Sequence, residues 1–176
     1  MTRKWIRIVL LGTLSGCMAS ASQATTEEHR VWVAAAKHVL ANESTGTEKV
    51  GQLSVFERTS FPGLAPSVEQ LLLAAKNGFC GLPPAEAEAT ILKLRKLSAG
   101  EESVRKVFAE HREFKVTAER PNEGDYLGLS KVLFSPDKRS AFFNLDIGGV
   151  SGSIVVMRFE NGEWTKLEEC AQWTSY

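Results

Sequence analysis

The stretch from Leu129 to Trp173 constrains the fold most, because its apolar residues recur in steps of two between turn residues. Leu129 to Ser135 is rich in strand formers. Pro136-Asp137-Lys138-Arg139 follows, with proline preset for the second position of a turn. Ser140 to Ile147 reads as the return strand: Ala141, Phe143, Leu145 and Ile147 share one face, and Phe142, Asn144 and Asp146 the other. Gly148-Gly149-Val150-Ser151-Gly152 breaks the run, and Ser153 to Glu160 is the next strand. Asn161-Gly162 is the strongest hairpin signal in the chain. A two-residue turn there sets Phe159 against Trp164 on the face of Val155 and Met157. The alternation slips after Trp164, since Leu167 falls on the wrong face, which predicts a bulge between them.

Upstream, the period changes to that of helices. Thr25-Thr26-Glu27-Glu28 would open a first helix, with Trp32, Ala35, Ala36, Val39 and Leu40 on its apolar face. Glu48 to Thr59 contains one strand with Val50, Leu53, Val55 and Phe56 as its apolar set, closed by Pro62-Gly63-Leu64-Ala65-Pro66. Ser67-Val68-Glu69-Gln70 is a capping box for a second helix, which Asn77-Gly78 would end. Phe79 to Pro83 is a tight connection, with Pro84 at a natural first helical position. Ala85 to Leu97 favours helix by propensity, burying Ala87, Ile91 and Leu94, although Leu92 and Leu94 also alternate as a strand would. A short helix over Glu101 to His111, burying Val104, Val107 and Phe108, precedes a strand over Glu113 to Glu119 with Phe114, Val116 and Ala118 inward. The fold class expected is α+β: N-terminal helices covering one face of a twisted, antiparallel, mainly C-terminal sheet. The chain shows no internal repeat and is long enough for one domain, residues 26–176.

The first residues read as an address. Arg3, Lys4 and Arg7 precede a short apolar run from Ile8 to Leu14, too short to anchor as a span. It ends in Leu14-Ser15-Gly16-Cys17, which resembles a bacterial lipobox. That resemblance implies a signal peptide over residues 1–16, cleavage before Cys17, diacylation of Cys17, and a tether over 17–25. An ordinary secretory signal cut after Ala21 or Ala24 is the alternative. Met18 stands where an aspartate would signal inner-membrane retention, so the resemblance points to an outer-membrane lipoprotein facing the periplasm. Removing residues 1–16 takes three of the 21 basic residues and none of the 21 acidic ones, leaving −3, which suits a tethered domain rather than an adsorbed one.

A wider resemblance rests on Leu129-Ser130-Lys131-Val132-x-Phe134-Ser135-x-Asp137, Ala141-Phe142-Phe143, Gly152-Ser153, Glu160-Asn161-Gly162-x-Trp164 and Trp173-x-Ser175. These are similar to the C-terminal part of uncharacterised bacterial secreted proteins and lipoproteins. The likeness covers about the last quarter of the chain and implies a strand-rich module, with no activity and no site residues attached. That family often has further cysteines near the glycine-rich turn; this chain has none there.

Motifs for chemistry are sparse. His29 and His38 lie nine residues apart, not at the spacing of a helical zinc pair, and His111 reads as a helix-ending residue. Gly149-Val150-Ser151-Gly152-Ser153 is not a nucleophile elbow, since Ser153 occupies the second glycine position between two strands. Its glycines are turn residues or, alternatively, a close approach for a ligand. Asp125, Asp137 and Asp146 lack calcium-loop spacing. Trp164 and Trp173 read as core first and as a recognition surface second. No catalytic, metal or cofactor site is expected, and there is no basic stripe for nucleic acid. The expectation is a non-catalytic module that touches the membrane through its lipid and binds an envelope protein or peptide. A secreted hydrolase with a dispersed site is the alternative. With Cys17 assigned to lipid, Cys80 and Cys170 are the remaining cysteines, and export predicts that they pair; two buried free thiols are the alternative.

Overall fold

The computed structural model describes residues 16–43, 53–56, 67–75, 79–97, 104–118, 126–148 and 151–174. Residues 1–15, the Pro62–Pro66 stretch, Asn77-Gly78 and Asp125 lie outside them. The elements in order are α1 (Gly16–Glu43), β1 (Leu53–Phe56), α2 (Val68–Ala75), α3 (Pro84–Leu97), α4 (Arg105–Phe108), β2 (Phe114–Thr117), β3 (Tyr126–Leu129), β4 (Leu133–Phe134), β5 (Ser140–Ile147), β6 (Ser151–Glu160) and β7 (Glu163–Thr174). The fold is α+β.

The C-terminal strands form the antiparallel part of the sheet. Its order is β2-β1-β3-β5-β6-β7, with β4 beside β5. The Asn161-Gly162 turn pairs Phe159 with Trp164, whose rings sit 5.1 Å apart. Two residues of β7, Lys166 and Leu167, oppose Met157 alone, so the bulge falls where the alternation slipped and returns Leu167 to the Trp164 face. A second bulge was not foreseen: Cys170 is the extra residue between Glu169 and Ala171, which pair with Val155 and Ile154.

Several expectations need correction. The sheet is mixed rather than antiparallel throughout, because β1 lies between β2 and β3 and runs parallel to both. Parallel pairing needs a long crossover, and α2 to α4 supply it between β1 and β2. Both faces are covered, not one. Ala141, Phe143, Leu145, Val155 and Met157 join α1 and α4 in one cluster. Phe142, Ile154 and Val156 meet Leu71, Phe79, Ala87, Ile91 and Leu94 of the α2–α3 unit in another. Central strands that are apolar at both parities are buried on both sides.

The expected strand from Leu129 to Ser135 is interrupted at residues 130–132. There α1 supplies the missing partners: Trp32 Nε1 donates to Ser130 O at 2.9 Å, and Val132 N–H donates to Glu28 Oε1 at 2.7 Å. Among the described residues the helix spans Gly16–Glu43, so the expected tether 17–25 and the Thr25 cap lie within it. No proline or glycine occurs between Cys17 and Glu43 to stop it. The helix expected over Glu101 to His111 is only Arg105–Phe108 among the described residues, with no side-chain cap at Val104. Ala118 lies beyond β2 and is exposed rather than inward.

Other local readings hold. Ser67 N–H donates to Gln70 Oε1 at 2.9 Å and Gln70 N–H to Ser67 Oγ at 3.2 Å, which is the capping box. Cys80 and Gly81 both have positive φ, 50° and 73°, in a tight turn closed by Leu82 N–H on Phe79 O. Residues 84–97 are helical, with Ala87, Ile91 and Leu94 buried.

Candidate functional site

A groove of about 690 Å³ runs between α1 and the α4 segment and ends at the β6–β7 hairpin. Its α1 wall is the stripe Thr26, His29, Arg30, Val33, Ala34 and Lys37, adjacent to the face that enters the core. The facing wall is Lys106, Val107, Glu110 and His111, and Glu163 with Trp164 closes the end. Val33, Ala34, Val107 and Trp164 give it an apolar floor beneath charged rims.

The rim charges differ in freedom. Arg30 donates to Glu27 Oε1 at 2.7 Å and Gly162 O at 2.9 Å, and its guanidinium lies 5.7 Å from the Phe159 ring centre. These contacts, with Trp164 Nε1 on Glu27 Oε2 at 3.1 Å, hold α1 to the hairpin tip. Lys37 Nζ and His111 Nδ1 both approach Glu113, at 3.8 and 3.6 Å. Lys106 makes no ion pair among the described residues.

His111 sits three residues past α4, its N–H donating to Phe108 O and its ring edge-on to Phe108 and Phe114. It also lines a second hollow of about 510 Å³ with Arg105, Phe108, Ala109, Arg112, Phe114 and Val116, a lining without an acidic residue.

A histidine beside a carboxylate can take a proton. Among the described lining residues Thr26 supplies the only side-chain hydroxyl, on the α1 wall, while His111 belongs to the facing wall. The arrangement is suited to holding a ligand with an apolar body and charged groups.

The residues singled out in the sequence are dispersed. Cys17 lies within α1. His29 stacks on Trp32 at 5.6 Å, His38 is half-buried, and only His29 and His111 line the groove. Asp146 is 3% exposed on the opposite sheet face, with the Tyr126 hydroxyl 3.5 Å from Oδ2. Asp137 is exposed in the β4–β5 turn. Gly152 lies inside β6 rather than in a turn, and the Trp173 indole occupies the place a Cβ would need, so its glycine serves packing. Trp164 is buried and Trp173 packs on the second cluster. Cys80 and Cys170 are brought to disulfide distance, Cα–Cα 5.0 Å. Among the described residues no group of three or more His, Cys, Asp or Glu could hold a metal ion, and no helix is long and apolar enough to cross a membrane.

Sequence reasoning missed the groove, because its walls are more than 60 residues apart in the chain. The available signal was the second stripe on α1, mixed in charge and small residues beside the apolar one. No protein-family model, curated protein or solved structure matches the chain.

Proposed function

We propose that this chain is an exported, lipid-anchored binding module of the bacterial envelope, with the α1–α4 groove as its recognition site. The groove carries the proposal: apolar side chains between charged ones suit selective binding. The lipobox-like Leu14-Ser15-Gly16-Cys17 supports diacylation at Cys17, and Met18 supports outer-membrane sorting. The Cys80–Cys170 pair suits an oxidising compartment. Two acyl chains anchor stably at about 0.8 kcal/mol per buried methylene.

A photo-crosslinking residue placed at Lys106 in living cells tests the site, with one at Ala118, exposed beyond β2, as control. A discrete adduct from position 106 alone is expected; equal labelling from both positions, or none, refutes the groove. Labelled palmitate should enter the wild-type chain and not Cys17→Ala. An unlabelled, soluble mature product starting beyond Ala21 rules out the anchor.

The His111–Glu113 approach at 3.6 Å favours the second reading, a hydrolase. Ester or amide turnover by the purified chain, abolished in His111→Ala with the fold intact, would replace binding with catalysis.

A further inference from the structure

We propose that the outer face of α3 pairs, antiparallel, with α3 of a second copy of this chain, giving a two-fold dimer that leaves the α1–α4 groove of each copy open. The inference goes beyond the reading of the groove and does not depend on what the groove binds.

The apolar residues point to this face. Leu73 of α2 and Leu92 of α3 are 63% and 41% exposed, and they are the exposed large hydrophobics among the described residues. Both stand on the α2–α3 unit, whose inner side packs Leu71, Ala87, Ile91 and Leu94 on the sheet. The outer side of α3 has its own line: Ala85, Ala89, Leu92 and Lys96, in steps of four, three and four, are all exposed. That is the spacing of the seam between two paired helices. Small residues in it let the helix axes approach closely, and a lysine at its end can reach water while its stem stays covered.

Charge sets the partner and its direction. Glu86 and Lys93 lie on one flank of the seam, seven residues and so about 10.5 Å apart, too far to bond each other. Both are exposed, and neither makes an ion pair among the described residues. The helix dipole favours acids first and bases last, which orders the signs but does not set them on one flank. In an antiparallel pair Glu86 falls opposite Lys93 of the second copy, and by symmetry Lys93 meets that copy's Glu86. The same register lays Leu92 over Ala89 of the second copy and sets Lys96 against its Ala85. A parallel pair would instead set Lys96 against Lys96 in the seam. Glu88, on the other flank, falls opposite Arg95, which is already engaged within its own chain, so the two Glu86–Lys93 pairs carry the recognition.

Helices of 14 residues meet over about 21 Å. They bury less than the about 800 Å² per partner of a standard interface, so the pairing is weak and reversible. The groove lies on the α1–α4 side of the sheet and α3 on the other, so the dimer carries two grooves and binds a repeated epitope with avidity.

The test uses the full mature chain in detergent, with micelles in excess of chains and a short bismaleimide as the probe. Ala89→Cys should give a product of twice the chain mass, in a yield that rises with chain concentration. Ala118→Cys, exposed beyond β2, should not, and the unsubstituted chain reports any reaction at Cys17. Glu86→Lys and Lys93→Glu, each added to Ala89→Cys, should each weaken the pairing at least about tenfold, because like charges then meet at both contacts. An equimolar mixture of these two variants should regain it, since one chain is then basic at both positions and the other acidic at both. A misfolded variant could not regain pairing, so the mixture separates recognition from damage to the fold. Equal yields from positions 89 and 118, a yield that does not rise with concentration, Glu86→Lys without effect, or a mixture that stays apart overturns the inference. The Lys106 cross-link reads the other side of the sheet: if it persists while the chain stays monomeric, the groove stands and only the pairing falls.

Discussion

Removing the Cys80–Cys170 bridge is the most direct probe of how the α2–α3 unit is held to the sheet. Cys80 sits in the tight turn between α2 and α3, and Cys170 is the bulged residue of the edge strand β7. The two are 90 positions apart in sequence. For a loop of that length the chain-entropy model gives about 4–5 kcal/mol, through restriction of the unfolded state. The folded state keeps other ties after the bond is lost. Arg158 donates to Cys80 O at 2.8 Å and to Ser140 Oγ at 2.6 Å, and Leu71, Ile91 and Leu94 still pack on Phe142, Ile154 and Val156. The native fold of Cys80→Ala/Cys170→Ala should therefore persist, with stability lowered by about 4–5 kcal/mol. Against a typical total of about 5–15 kcal/mol, that is a large fraction. At a urea slope of about 2 kcal/mol per molar, the midpoint should fall by about 2 M. Urea unfolding followed by tryptophan fluorescence, on the never-reduced protein and the double variant, gives the comparison. Coincident midpoints, or two alkylatable thiols in a sample never exposed to reductant, would refute the reasoning.

Two further outcomes are expected. Gly152→Ala should cost about 1–3 kcal/mol, because a Cβ there would lie 2.6–2.8 Å from three atoms of the Trp173 indole; unchanged urea stability would mean that the indole moves aside freely. Asp137 is held below the usual aspartate range of about 3.9 by the Ser135 hydroxyl at 2.6 Å, aided by Arg139 N–H at 3.1 Å. Its folded value is depressed, so its contribution is complete above the unfolded value and is lost as pH falls through the folded one. An NMR titration should show that low midpoint, and Ser135→Ala should raise it; an unshifted titration in Ser135→Ala removes the hydroxyl as the cause.

How much could be read in advance follows from the range of each interaction. The capping box at Ser67 and Gln70, the turn at Cys80-Gly81, the Asn161-Gly162 hairpin and the bulge at Lys166-Leu167 depend on residues within a few positions of one another. So does the helix over residues 84–97. The placement of β1 between β2 and β3 depends on partners 61 and 72 residues away, and four residues of alternating pattern say nothing of where they pair. The interruption at Ser130 was hidden for a related reason. Its strand-forming composition is real, but Trp32 and Glu28 from α1 take the backbone groups that a ladder would have used.

The sequence by itself determined the α+β class and the hairpin register at Phe159 and Trp164, because hydrophobic period and turn chemistry act locally. Only the tertiary structure decided that both sheet faces are covered, that β1 runs parallel to its neighbours, and that α1 and α4 enclose a groove. Those features arise when segments distant in the chain bury surface against each other, and the energy of that burial depends on which faces meet rather than on the residues of either segment alone. The candidate site belongs to this second kind: Lys37 and His111 share Glu113 only because two helices, each unremarkable in sequence, pack on one face of the sheet.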